Sequence, residues 1–195
     1  MNRFFYVFIR MKSNILLKKE VINMQLKRYN RQKAIDYARK WALDRNPIYH
    51  DYEKYGGDCT NFISQCLHAG EIPFDESGKD ITKKWYWYSD YSRTPSWTAA
   101  EPLEAYLLGN NKKNTQNYGI YASFCDYEDM ELGDLVQKRI NGQITHTMIV
   151  TSKVLDRNGR IIDYLVCQHT YDLKDFPLSQ KDGVLSYIKI HGYYA

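Results

Sequence analysis

Apolar residues at Ala34, Ile35, Ala38, Trp41 and Ala42 follow the i, i+3, i+4, i+7 spacing of one helical face. They predict a first helix with Asn30 as N-cap and Pro47 as stop. Phe62, Ile63, Cys66 and Leu67 mark a second helix that opens at Cys59, directly after Gly56-Gly57-Asp58, and closes at Gly70. A capping-box pattern at Thr98-Ala99-Ala100-Glu101 introduces a third, short helix with Leu103, Tyr106 and Leu107 on one face and Gly109 at its end. Between the second and third helices, residues 71–97 show no sustained period and read as a long irregular excursion. The second half changes character. Runs rich in β-formers at 134–140, 144–154, 161–170 and 184–191 are separated by turn residues at Asn141-Gly142 and Asp156–Gly159. Helices followed by an antiparallel meander predict an α+β domain with its N-terminal helices packed on one face of the sheet.

Charge and cysteine content narrow the partners. Five of the 27 basic residues and one of the 23 acidic residues lie in positions 1–24, which leaves 22 of each from position 25 onward. A neutral body lacks the cationic surplus that nucleic-acid binding needs, so no nucleic-acid partner is expected. The four cysteines form no CxxC pair, which speaks against a structural zinc site, and they read as free thiols. No stretch reaches the roughly 20 apolar residues of a membrane span. The run Phe4–Ile9 is short for a signal peptide and is followed by Arg10 and Lys12 without a small-residue cleavage site. Lys19-Glu20-Val21 can be encoded by codons containing a bacterial ribosome-binding sequence, with Met24 shortly after. Residues 1–24 are therefore read as an unstructured or mis-assigned leader, and 25–195 as the domain. The compartment is cytoplasmic by default.

The chemistry centres on Cys59. If Asp58 caps the second helix, Cys59 sits in its first turn, where free backbone N–H groups and the positive end of the helix dipole stabilise a thiolate and can receive an oxyanion. A buried, inert thiol is the alternative, and Cys66, further along the helix, fits it better. A thiol nucleophile needs a base. Of the five histidines, His146 opens the apolar run TMIVT and His169 ends IDYLVCQ, at the same end of neighbouring predicted strands. A two-residue hairpin loop centred on Asp156–Gly159 pairs residues whose numbers sum to 315, and this sets His146 opposite His169. A slip of one residue brings Gln168 or Thr170 there instead, because side chains alternate faces. His146 is thus the expected base and His169 the orienting residue, with Gln168 as its substitute.

With GGDCTNFISQCLHAG at 56–70, LGDLVQ at 132–137, HTMIV at 146–150 and CQHTYDLKDFPLS at 167–179, the chain resembles the putative amidase domain family, a branch of the papain-like NlpC/P60 and CHAP superfamily. The resemblance covers about residues 29–191. It implies a circularly permuted papain-like fold and a cofactor-free cysteine amidase or peptidase, with Cys59 as nucleophile, His146 as base and His169 as the third polar group. In the same segment Asp172 could orient a histidine or bind a substrate amine. Tyr55 is the nearest tyrosine to a position that assists the oxyanion in some relatives. Asn61 and Ser64 look like support for the helix start. The substrate implied is a peptide or amide, with cell-wall (peptidoglycan) peptides common in the superfamily, and an exported or surface location is the alternative compartment. The aromatic residues of 85–97 would suit a peptide or sugar groove, with core packing as the other account. Acyl transfer and a catalytically silent peptide-binding domain are the competing functions.

Overall fold

The computed structural model describes residues 24–109 and 118–195, so the reading of 1–24 as a leader falls outside the described residues except at Met24. Helix α1 runs Arg31–Trp41, and the Asn30 side chain accepts a hydrogen bond from the Lys33 N–H, as an N-cap should. It buries Ala34, Ile35 and Ala38, the residues of the expected stripe. The helix stops at Trp41, well before Pro47, because the Trp41 carbonyl is taken by the Asp44 N–H and by the imidazole of His169.

Helix α2, Cys59–Ala69, is buried from Cys59 to Leu67. Its polar residues face inward and are satisfied there. Asn61 accepts from the Trp97 indole N–H and donates to the His50 carbonyl, while Ser64 accepts from the Trp85 indole and donates to the Trp97 carbonyl. This is the support expected of both residues. Trp85 and Trp97 are wholly buried with ring centroids 4.7 Å apart, so core packing accounts for these two indoles. At the end of α2, Gly70 is required by packing: a Cβ there would overlap the Tyr29 ring.

The excursion after α2 holds a small hairpin of β2, Trp87–Ser89, and β3, Ser92–Arg93. Helix α3, Pro95–Thr98, follows, and then α4, Ala100–Gly109. The expected capping box at Thr98 does not form. Thr98 belongs to α3, whose one turn starts at Pro95, and α4 is initiated by the Ala99 carbonyl accepting from the Leu103 N–H. The predicted core face of α4 is correct: Leu103, Tyr106 and Leu107 are buried.

Seven antiparallel strands make the sheet: β1 Leu26–Lys27, β4 Gly119–Cys125, β5 Leu135–Ile140, β6 Gln143–Leu155, β7 Ile161–Gln168, β8 Leu173–Pro177 and β9 Val184–Tyr194. Strands β5 to β7 follow the first three runs of the expected meander, and β8, which the sequence pattern did not reveal, continues it beyond β7. The last strand departs from it. β9 returns beside β5, and its other edge carries β4, a strand that the sequence pattern did not reveal. Both faces of the sheet are covered. Leu135, Ile149, Cys167, Ile188 and Ile190 meet the helices. Val136, Met148, Val150 and Val166 meet Met130, Tyr164 and Leu178 on the far side. Buried Asp134 anchors the assembly by accepting from Arg31 of α1 and from the Ile190 N–H of β9.

Candidate active site

Two loops converge on the start of α2. One is Tyr52–Gly57. The other is the β7–β8 turn, where Thr170 and Tyr171 both take positive φ. They are joined at Thr170, whose hydroxyl accepts from the Asp58 N–H at 2.8 Å and donates to Glu53 at 2.9 Å. Gly57, with φ +116°, lets the chain pass close by; a Cβ there would lie 2.9 Å from the Thr170 hydroxyl oxygen. Asp58 does not cap α2 with its side chain, contrary to the expectation. Its carboxylate turns away from the helix to the Tyr52 N–H, the Asn61 amide and His169.

Cys59 therefore occupies the first turn of a helix whose leading N–H groups are uncapped. Cys59 is 8% exposed; its sulfur lies 3.7 Å from the Thr60 hydroxyl, and the Thr147 N–H of β6 and the Thr60 hydroxyl and N–H favour its thiolate. Burial nevertheless pushes the thiol above its ordinary range, those N–H groups pull it back, and the Asp58 charge pushes it up again. Burial thus opposes the thiolate that the helix start was expected to stabilise.

His146 is the residue before the Thr147 N–H that meets the sulfur. It pairs with Lys138 across β5–β6 and shares the sheet face of Met148. Its Nε2 is buried and has no hydrogen-bond partner among the described residues, so no hydrogen bond joins it to Cys59. Burial, together with the Lys181 and Lys138 charges, drives the imidazole down to about 4 against the opposing pull of a hydrogen bond with Gln168. His146 is thus a neutral imidazole at physiological pH.

This gives a stability prediction with a definite sign. An imidazole depressed in the fold takes up its proton in the unfolded chain first, so its contribution is complete above about 6.5 and is lost as pH falls towards 4. The loss is on the order of 3 kcal/mol. Urea melts of wild type between pH 7 and 4 should show it, and His146→Gln should flatten that part of the curve. A variant curve parallel to wild type would be evidence against the depressed imidazole.

The partner of His146 is Gln168 and not His169. Near the site the β6–β7 ladder pairs Ile149 with Cys167 and Val150 with Val166, one residue away from the register of an unbroken two-residue hairpin. The turn itself causes the slip: Leu155 pairs with Ile161 and the Asp156 N–H donates to the Arg160 carbonyl, a loop one residue longer, while the two shifts within the ladder, between Val150 and Ser152 and between Val154 and Leu155, cancel. Gln168 thereby shares the face of His146. Its amide donates to the Thr170 and Tyr171 carbonyls, and its Oε1 accepts from Lys181 at 2.7 Å. With both amide protons used, Gln168 presents an acceptor to the imidazole.

The remaining expected residues fall elsewhere. His169 lies on the helix side against Asp58, 2.5 Å from Nδ1 to Oδ2. Asp172 orients no histidine; it forms a bidentate pair with Arg45 at 2.8 and 3.0 Å. Tyr55 is 76% exposed and packs near His50, without a hydrogen bond to the thiol. Sequence reasoning missed Arg45, whose guanidinium also reaches Asp51, Glu53 and Asp58. It also missed Lys138 and Lys181 beside the imidazole. Arg45 carries no local signal because all its partners are distant in sequence or in loops. Lys138 was accessible in principle, as the cross-strand neighbour of His146. Among the described residues, no three His, Cys, Asp or Glu side chains gather as a metal site would require.

N-terminal helices on an antiparallel sheet, with a thiol at a helix start against a strand, are consistent with a papain-like arrangement. The profile of the putative amidase domain family matches residues 28–193, and the chain belongs to that family. Membership supports amide hydrolysis as the general activity. Among curated proteins, the uncharacterized protein YhbB of Bacillus subtilis (strain 168) is 34% identical over 127 residues, 64% of this chain and 38% of that protein. The uncharacterized protein YjcM of the same strain is 32% identical over 139 residues, 66% of this chain and 29% of that protein. The chain thus spans roughly a third of the length of these relatives. No solved structure matches it.

Proposed function

We propose that this chain is a cysteine-dependent hydrolase of amide bonds, of the NlpC/P60 and CHAP type, acting on peptides such as those of the bacterial cell wall. Cys59 is its nucleophile and His146 its base. The observation that carries this reading is the buried Nε2 of His146, without a partner, one residue from the N–H that holds the Cys59 sulfur. A buried ring nitrogen with no partner has a lone pair available to take a proton during reaction.

At rest the pair is a thiol and a neutral imidazole. His146 takes the thiol proton as sulfur attacks the substrate carbonyl, so the charge pair forms only as the reaction proceeds. The oxyanion is received by N–H groups in the uncapped first turn of α2. His146 then returns the proton to the departing amine, the C–N bond breaks, and a thioester remains on Cys59. Water, deprotonated by His146, attacks the thioester, releases the carboxylic acid and restores the thiol. Gln168 holds the ring through its Oε1, the place His169 was expected to fill.

Substrate is tested by incubating a muropeptide digest with the protein and with Cys59→Ser as the blank. New primary amines and matching carboxylic acid fragments are expected with wild type alone. Identical product spectra for the two proteins would remove the cell-wall peptide reading.

A further inference from the structure

His169 enters a buried cluster beneath the start of α2. Both it and Asp58 have side chains only 1% exposed. The imidazole stacks on Phe62, with ring centroids 4.0 Å apart and 20° between planes. Its Nδ1 is 2.5 Å from Asp58 Oδ2, and its Nε2 is 2.8 Å from the carbonyl of Trp41, the last residue of α1. Both partners are oxygen acceptors, so satisfying both takes a donor at each ring nitrogen. A donor pair at the carbonyl end of a helix is also favoured by the helix dipole.

Asp58 immediately precedes Cys59. A carboxylate there harms a thiolate in two ways: by its charge, and by capping, which would consume first-turn N–H groups. Neither takes full effect. Oδ1 is held by the Tyr52 N–H at 3.0 Å and the Asn61 amide at 2.8 Å, and Oδ2 faces His169. Arg45 also lies near Oδ2, at 3.7 Å, but its guanidinium is forked onto Asp172 and shared with Asp51 and Glu53. His169 is the close partner.

We propose that His169 is a positioning residue that acts on Cys59 through Asp58: it holds the carboxylate off the first turn of α2 and balances its charge there, leaving those N–H groups to the sulfur and the substrate. The inference rests on Cys59 as the reacting thiol. It also separates the two histidines by role, His146 moving protons and His169 moving none.

The test is the pH dependence of Cys59 alkylation by iodoacetamide in the full chain, followed by peptide mass spectrometry. His169→Gln should raise the midpoint by about one pH unit, slowing alkylation ~10-fold at a fixed pH below it. Asp58→Asn, which keeps His169, should lower the midpoint. The double variant Asp58→Asn/His169→Gln should return close to wild type, since the effect runs through the carboxylate. An unchanged midpoint in His169→Gln, or an equal rise in the double variant, would overturn the proposal. If His169→Gln unfolds, seen as alkylation of the core thiols Cys66 and Cys167, Asp58→Asn alone decides: a lowered midpoint supports the proposal and an unchanged or raised one refutes it. Alkylation reads the thiol directly, so failure of the amidase reading would show instead as turnover that survives in Cys59→Ser.

Discussion

Cys59→Ser is expected to lose amide hydrolysis by roughly a thousand-fold or more while keeping its fold. The substitution is close to isosteric, and the site that receives it is defined by backbone N–H groups that a hydroxyl can also accept from. The loss comes from proton affinity. The proposed base is an imidazole brought down to about 4, and the thiol is one that burial already pushes up. A hydroxyl holds its proton far more tightly than a thiol, so the same base would have to do much more work in the transition state. Circular dichroism matching wild type, with hydrolysis at the level of the blank, is the expected outcome. Serine activity within a few-fold of wild type would move the nucleophile elsewhere.

His146→Ala should cost roughly 100- to 10,000-fold in kcat/KM, the range for removal of a general base. It should also slow alkylation of Cys59 at neutral pH and leave that of Cys125 unchanged, since Cys125 lies on β4 among other groups. The two readouts together separate loss of a base from a general loosening of the fold. Gln168→Ala should give a smaller defect of the same kind, because the ring remains but its orienting acceptor is gone. His169→Ala should differ in kind, shifting the alkylation midpoint through Asp58. Equal thiol reactivity in wild type and His146→Ala would show that the imidazole does not serve Cys59.

Much of this site was legible in the chain, and what was not has identifiable causes. The helical stripe from Ala34 to Ala42 and the Gly-Gly-Asp-Cys helix start are local features, and both appear where the periodicity put them. The meander was readable from its turns, but the placement of β9 beside β5 was not, because pairing across the sheet leaves no local mark. The histidine pairing shows the limit most clearly. Its arithmetic needed a two-residue loop, and the observed turn from Asp156 to Arg160 is one residue longer, which puts Gln168 and not His169 on the face of His146. Asp58 failed as a cap for a different reason: the Tyr52 N–H across a loop, the Asn61 side chain within α2 and the distant His169 take its carboxylate instead of the helix backbone. The thiol was expected to be acidic from its helix position alone. Burial, which only the tertiary fold sets, reverses the direction.

The account stands on a covalent step at Cys59 assisted by His146, and trapping that step tests it most directly. p-Nitrophenyl acetate is a simple activated acyl donor, and peptide mass spectrometry after brief exposure locates any acyl group. The account predicts an acetyl thioester confined to Cys59, formed with a burst of nitrophenolate, lost on standing as water resolves it, absent from Cys59→Ser and slow to form in His146→Ala. Acetylation spread over Cys125 and surface lysines, with no thioester at Cys59, would contradict it.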